Sequence, residues 1–421
     1  MKRWYLGNKA LLRFNRLEVS LRCVKCGSVY EPDPYLFSCP KCGSPLEVVV
    51  RPKELKWLRL RRRALSVWRY RELLPVPEGV KEVSMGEGGT PLIRAERIAS
   101  LTDVKEAWVK FEGANPTGSF KDRGMTVGVT IAKHVGVRAV IVASTGNTSA
   151  SASAYAARAG IKCFVVLPKG KVARGKLSQA VIHGAVIVEV AGSFDDALEA
   201  VMEVARRTKL LYPLNSFNPW RLEGQKTIAY EIYDQLGRVP RKVIVPVGNA
   251  GNIAAIWKGF KELKELGVAN ELPEMVGVQA AGAAPIANAF ERGLSEPVFI
   301  DRPETVATAI RIGRPVNWYK ALNAVRESNG VVVEVGDSEI LEAQGMLARL
   351  EGVGAEPAGA APLAGLIKLS KEGLVGRDDD VVLVVTGHTL KDPDVAVRHS
   401  VPTYEAKGSK EVVATFIDLT R

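Results

Sequence analysis

The chain runs to 421 residues, too many for one ordinary core, and is 47% hydrophobic and 25% charged with 39 Gly and 23 Pro; this excludes collagen-like and low-complexity classes and predicts two or three soluble domains. No apolar run is long enough to cross a bilayer, and the start "MKRWYLGNKALLRF" lacks the continuous apolar core of a secretory leader, so no membrane partner and a cytoplasmic location are expected. The formal net charge of +12 is carried almost wholly by residues 1–75, which hold 17 Lys+Arg against 6 Asp+Glu.

Residues 1–50 read as a zinc-ribbon-like module. Cys23, Cys26, Cys39 and Cys42 form two C-x2-C pairs separated by twelve residues. Each pair sits in a knuckle, "CVKCG" or "CPKCG", whose glycine lets the chain turn back so that backbone N–H groups reach the sulfurs. Four thiolates at this spacing suit one tetrahedral, structural Zn2+ with no open position. Two unrelated reduced pairs, or disulfides, are the competing reading. The module is too short to build much core unaided. It leads into a basic connector, residues 51–84, whose Leu55, Leu58, Trp68 and Leu73 are expected to pack on the body.

From residue 85 to 421 the pattern is α/β. Short apolar runs, "AVIVAS", "KCFVVLP", "AVIVEV", "KVIVPVG", "MVGVQA", "VVVEV" and "VVLVVTG", alternate with helical stretches at 148–160, 174–183, 194–208, 221–236, 252–264, 338–351 and 357–371. Strands apolar on both faces predict open parallel sheet covered by helices on each side. Such sheets place their chemistry beyond the carboxyl ends of the strands. Cys163, inside "KCFVVLP", reads as core.

Four motifs stand at such ends or at helix mouths. In "NPTGSFKDRG" a turn precedes Lys121, and Ser119 with Asp122 looks like a capping box. Lys121 then lies in a first helical turn, where the positive dipole end favours the free amine, able to attack a carbonyl and accept a proton. A solvated "KDR" on the surface is the bland alternative. In "ASTGNTSAS", Ser144, Thr145, Asn147 and Thr148 offer hydroxyls and an amide beside helix-start N–H groups, in kind an oxyanion receptor. An N-cap on an Ala/Ser helix would look the same. In "PVGNAGN", Gly248, Asn249, Ala250, Gly251 and Asn252 can turn N–H groups toward one phosphate, because small residues let the backbone approach. Thr386 ends the strand "VVLVV" with a neutral hydroxyl. One ligand would use all four features: pyridoxal 5'-phosphate offers an aldehyde for Lys121, a ring oxygen for Asn147, a phosphate for 248–252 and a ring nitrogen for Thr386.

With "NSFNPWRLEGQKT", "EPAGAA" and "TGHTLKDPD", these motifs resemble the threonine synthase family of fold-type II pyridoxal-phosphate enzymes, in the family's order across residues 84 to 394. The resemblance implies the tryptophan synthase β-like fold of two open parallel-sheet domains, the smaller at roughly 125–212. It implies that Lys121 carries the cofactor, and that Asn215, Ser216 and Arg221, joined by Thr148, clamp the substrate's phosphate. Ser144 and Thr145 are assigned to the substrate side. "SMGEGGTP", Ser84 to Pro91, resembles the family's loop near the substrate entrance. The implied reaction is O-phospho-L-homoserine plus water giving L-threonine and phosphate, in a homodimer. Two positions depart from the family pattern: Thr389 replaces a usual glycine, and Gly359 stands where serine is common.

Other reactions use the same scaffold. Cysteate synthesis from phosphoserine would share the phosphate clamp, and threonine or serine dehydration would not need it. A rival of another class is nucleic-acid binding by the ribbon and connector, where Trp57, Trp68 and Tyr70 interleave with arginines. The body's motifs weigh against nucleic acid as the primary partner.

Overall fold

The computed structural model describes residues 12–169, 177–192, 194–396 and 399. Three sheets organise it. The first is an antiparallel ribbon of β1 (Leu17–Cys23), β2 (Val29–Tyr30) and β3 (Leu46–Pro52), in the order β2-β1-β3. Alternate inward positions of β1 and β3, among them Leu21, Leu46 and Val48, join one apolar cluster with Met125, Val127 and Tyr212 of the body. The ribbon therefore shares the body's core instead of building its own. Edge-on contacts of Tyr35 and Phe37 with Tyr212, ring centres 6.0 and 5.8 Å apart, extend this seam.

The connector lies on the body as its apolar residues demand. Trp57 stacks on Tyr70, and both bond Asp234: Trp57 Nε1 donates at 2.9 Å and the Tyr70 hydroxyl at 2.8 Å. Trp68 Nε1 donates to Glu87 and Thr126. The three connector aromatics are thus engaged internally. Leu73 is buried and Leu55 packs beside it, but Leu58 is 74% exposed; it faces outward on a single four-residue turn, Trp57–Leu60, whose inner face is taken by Leu60.

A six-stranded sheet comprises β4 (Leu92–Arg94), β5 (Glu106–Phe111), β10 (Lys242–Pro246), β11 (Glu274–Ala280), β12 (Val331–Val335) and β13 (Asp380–Val385), in the order β12-β11-β10-β13-β5-β4. All its pairings are parallel except that of β4. A four-stranded parallel sheet takes β6 (Ala139–Ala143), β7 (Lys162–Pro168), β8 (Val186–Val190) and β9 (Leu211–Pro213), in the order β8-β7-β6-β9. Central strands such as β6 and β10 are buried at every position, as their unbroken apolar runs require.

The sequence expectations differ from this in several places. Strands β4, β5 and β9 escape notice; β5 reads "EAWVKF", with Lys110 buried among ionic partners, and β9 is only three residues long. "AVIVEV" forms β8, but as an edge whose Val186 and Val188 are exposed, not a strand covered on both faces. The helix expected at 221–236 is two, Pro219–Leu222 and Thr227–Leu236. The break is at Gly224, where a Cβ would stand 1.7 Å from Arg123 O. Of the stretch 174–183, the helix Ser178–Ile182 is seen and 174–176 lie outside the described residues.

Candidate active site

In each parallel sheet the strand order reverses once. In the larger sheet β10, β11 and β12 progress one way and β13 returns to the other side of β10; in the smaller, β6, β7 and β8 progress one way and β9 returns beside β6. Loops leaving two such neighbours diverge, and the gap between them is where open α/β sheets hold ligands. The residues after β10 are 247–252 and after β13 Thr386, and those after β6 and β9 include Asn147 and Ser216. One cavity, with an empty volume of about 530 Å3, is lined from all four ends, by Gly248 to Asn252, Thr386, Asn147 and Ser216, with Phe120, Lys121, Arg221, Leu222, Gln225, Ala309, Ile310 and Glu356 among the others.

Lys121 opens the helix Lys121–His134. The capping box does not form: Phe120 is the cap residue, the Ser119 hydroxyl is buried without a partner, and Asp122 instead accepts from the Thr117 N–H, the Thr117 hydroxyl and Ser151. Asp122 ties the turn, not the helix end. Nor is "KDR" a solvated start, since Asp122 and Arg123 are fully buried. Arg123 donates to Glu112 and Glu231, and Lys110 donates to Glu231 at 2.8 Å. Thr90, Thr227 and Gln235 complete a network that leaves no charge unpaired. It fixes the first turn from beneath. Burial pushes the Lys121 amine down to about 7, helped by the Arg221 charge and opposed by Glu356. Desolvation, more than the helix dipole, frees the amine. Its Nζ lies 4.1 Å from the centre of the Phe120 ring.

The phosphate-sized turn follows β10. Ala250 caps the helix Gly251–Glu265 with φ +64, and the first turn of that helix has N–H groups without intrahelical partners. A Cβ on Gly248 would come within 3.1 Å of Ala309 O and Ile310 Cα, and one on Gly251 within 2.9 Å of Leu222. The turn is therefore closely backed and its open side faces the cavity. Both polar atoms of the Asn252 side chain are buried without partners. So are Arg221 Nε and Nη2, although Arg221 is only 1% exposed. Burial pulls the Arg221 guanidinium down to about 10. A buried, unpaired guanidinium is costly unless an anion completes it. Lysine amine, orphaned guanidinium and closely backed N–H turn on one cavity fit a pyridoxal phosphate with a phosphorylated substrate.

Asn147 begins the helix Asn147–Ala159, and its Nδ2 donates to both oxygens of Glu356. Glu356 was not singled out by sequence, although it opens "EPAGAA", because a lone acid before a helix is an ordinary N-terminal choice. Burial pushes its carboxyl up, while Asn147, Lys391 and Lys121 pull it back. Thr386 lines the cavity, and Gly359 packs closely on its backbone: a Cβ there would lie 3.2 Å from Gly387 O and 3.3 Å from Thr386 N, which the departure from serine suits. Ser216 lines the cavity, but Ser144, Thr145, Thr148 and Asn215 do not. Both ends of the Asn215 amide bond the backbone of Ala143, at 2.9 and 2.8 Å, tying the loops after β6 and β9 together. The Ser144 hydroxyl accepts from Gly146 N–H. Asn317, also missed, donates through Nδ2 to Ser216 O at 3.0 Å and Asn249 O at 3.3 Å. Nothing in "RPVNW" signals that role.

Away from this cavity, the sulfurs of Cys23, Cys26, Cys39 and Cys42 all lie within 4.8 Å of one another. The knuckle glycines have the left-handed backbone their position needs, Gly27 at φ +71 and Gly43 at φ +70. Each donates its N–H to the carbonyl of the first cysteine of its pair. The cluster could hold one metal ion.

Residues 83–387 match a family model described as pyridoxal-phosphate dependent enzyme. Threonine synthase of Methanocaldococcus jannaschii is 56% identical over 384 residues, 90% of this chain and 94% of that protein. Threonine synthase of Methanosarcina acetivorans is 52% identical over 380 residues, 90% and 93% of the two chains. That of Mycobacterium tuberculosis is 53% identical over 329 residues, 78% and 89%. Among solved structures, maize serine racemase superposes with a TM-score of 0.63 at 20% identity, covering 73% of this chain and 91% of that one. Threonine deaminase isoform 2 from Solanum lycopersicum gives 0.62 at 22%, covering 74% and 88%. These two likenesses show the shared fold.

Proposed function

Because the chain belongs to the pyridoxal-phosphate dependent enzymes, and within them to the threonine synthase family, we propose that it converts O-phospho-L-homoserine and water to L-threonine and phosphate. Its fold is the fold-type II architecture expected from the motifs. The carrying observation is that threonine synthases match most of the chain at 51–56% identity. The orphaned Arg221 beside Lys121 is what a phosphorylated substrate needs, and a dehydratase would have no use for it.

Lys121 would hold the cofactor's aldehyde carbon, Asn147 its ring oxygen, the turn Gly248–Asn252 its phosphate, and Thr386 its ring nitrogen. When bound, pyridoxal phosphate supplies an electron sink that makes protons near the substrate's amino group removable. Lys121 Nζ, whose burial brings its proton loss down to about 7, would take the α proton in its free form and could return one later. Arg221 receives the departing phosphate through its free Nε and Nη2, stabilising charge as it develops. Ser216, beside it, adds a hydroxyl. Asn215 and Thr148 serve that clamp, and Ser144 and Thr145 the substrate's carboxylate, when the segments after β6 and β9 close on the substrate. Thr386, neutral, leaves the ring nitrogen without an enforced charge.

The ribbon is read as holding one structural Zn2+ by four thiolates. The protein is read as a cytoplasmic homodimer; among the described residues no helix is long and apolar enough to cross a membrane. Product identification tests the assignment. O-Phospho-L-homoserine should yield threonine and phosphate in equal amounts, whereas turnover of phosphoserine with sulfite in its place would make the protein a cysteate synthase.

A further inference from the structure

A second cavity lies on the seam between the ribbon and the helices of the larger sheet, with an empty volume of about 830 Å3. It shares no lining residue with the active-site cavity. Five cationic side chains, Arg22, Lys25, Lys258, Lys261 and Lys320, and two carboxylates, Glu47 and Glu327, line it. Lys258 and Lys320 reach from the body to the ribbon: Lys258 Nζ donates to Val48 O, and Lys320 Nζ donates to Leu46 O at 2.7 Å.

The charges do not balance evenly. Arg22 pairs with Glu47 at 3.1 Å, Lys25 with Glu296 at 3.3 Å, Lys258 with Glu223 at 2.5 Å and Glu262 at 3.8 Å, and Lys261 with Glu327 at 2.8 Å. Lys320 makes no ion pair among the described residues, and its amine donates to the Leu46 carbonyl. Burial pushes its amine down to about 8, with Lys258 adding to the effect and Glu47 opposing it. Glu47, although burial raises it, is held at about 2 by Lys258, Lys320 and Arg22. The pairs of Lys25 and Lys261 are solvent-exposed, worth little, and free to turn toward a stronger anion. Ammonium groups act as point charges, without the planar fork that selects a carboxylate. Several of them around one cavity suit a compact ion with more than one negative charge.

We propose that this seam cavity binds a small phosphate-bearing anion, with Lys320 and Lys258 beneath it and Lys25 and Lys261 closing on it from the rim. The site is separate from the reaction assigned above. Calorimetric titration of the zinc-loaded holoenzyme with inorganic phosphate, and in a second arm with phosphoethanolamine, tests it. An event insensitive to Arg221→Ala but weakened at least tenfold by Lys320→Gln supports the site. Whichever probe gives that event says whether free phosphate or an ester is taken. Should Lys320→Gln loosen the ribbon, the exposed pair Lys25→Ala with Lys261→Ala leaves the packing intact and should weaken the same event about threefold. Binding that disappears wholly with Arg221→Ala, or is unchanged in both lysine variants, overturns the proposal.

Discussion

The side-chain amide of Asn147 donates to both carboxylate oxygens of Glu356, at 2.8 and 3.0 Å. The contact joins the loop after β6, in the smaller sheet, to the start of the helix Pro357–Lys371, which packs on the larger. It therefore orients the amide proposed for the ring oxygen. Glu356→Gln keeps an acceptor for Asn147 but removes the charge. It should leave the melting temperature within a few degrees and shift the visible absorption of the bound cofactor. Glu356→Ala leaves the buried amide short of an acceptor, at about 1–3 kcal/mol. A Gln variant with unaltered absorption and pH profile would mean that Glu356 only packs.

The amine of Lys121 sets a pH expectation. It is protonated and unreactive below about 7 and free above it. Trapping of pyridoxal by borohydride in cofactor-free protein should rise with a midpoint near 7, with the label on Lys121. A midpoint near 10 would contradict the burial argument. Lys121→Ala should abolish both the label and threonine formation.

Arg221→Ala should cut kcat/KM for O-phospho-L-homoserine by roughly a hundredfold or more, the usual loss for one donor to a developing oxyanion. Arg221→Lys should recover little, because a point charge does not replace the fork. Cofactor absorption should be retained in both. An unchanged rate in the Ala variant would remove the clamp from the reading.

Glu231 ties the two buried cations Arg123 and Lys110. Glu231→Ala should destabilise the protein by about 3–5 kcal/mol, because both charges lose a partner out of water. Burial alone would raise the Glu231 carboxyl, but Arg123 and Lys110 outweigh it and hold it at about 2. Its folded pKa is thus below the unfolded value of about 4.3. The stability it contributes is present above that value and is lost as pH falls toward 2. Acid denaturation of the variant should show a shallower slope in this window than that of the parent.

One zinc per chain is expected by metal analysis, and Cys39→Ser should release it. Because the ribbon shares its core with the smaller sheet, loss of metal should lower the thermal midpoint of the whole protein. Metal content near zero in freshly purified, active protein would set the zinc reading aside.

Most of the parallel strands, β5 and β9 excepted, and the cavity-lining turn after β10 were legible because each lies on a strong local signal. Unbroken apolar runs mark β6, β10 and β13, and small-residue turns after β10 mark the cradle. Long-range tertiary partners were not legible. Asp122 looked like a cap until the fold brought Ser151 to it. Lys110 breaks the apolar pattern of β5, and only a partner 121 residues away explains it. Asn215 sits in a motif assigned to substrate, while its amide is spent on Ala143.

Asn317 holds, with one amide nitrogen, a carbonyl on the smaller-sheet side and a carbonyl on the cradle. Such a bridge ties the two sides together at one point. If the two halves breathe during turnover, displacement should be least here and grow with distance from it. Asn317→Ala would then remove that tie and let the two loops part, although Asn317 itself does not line the cavity.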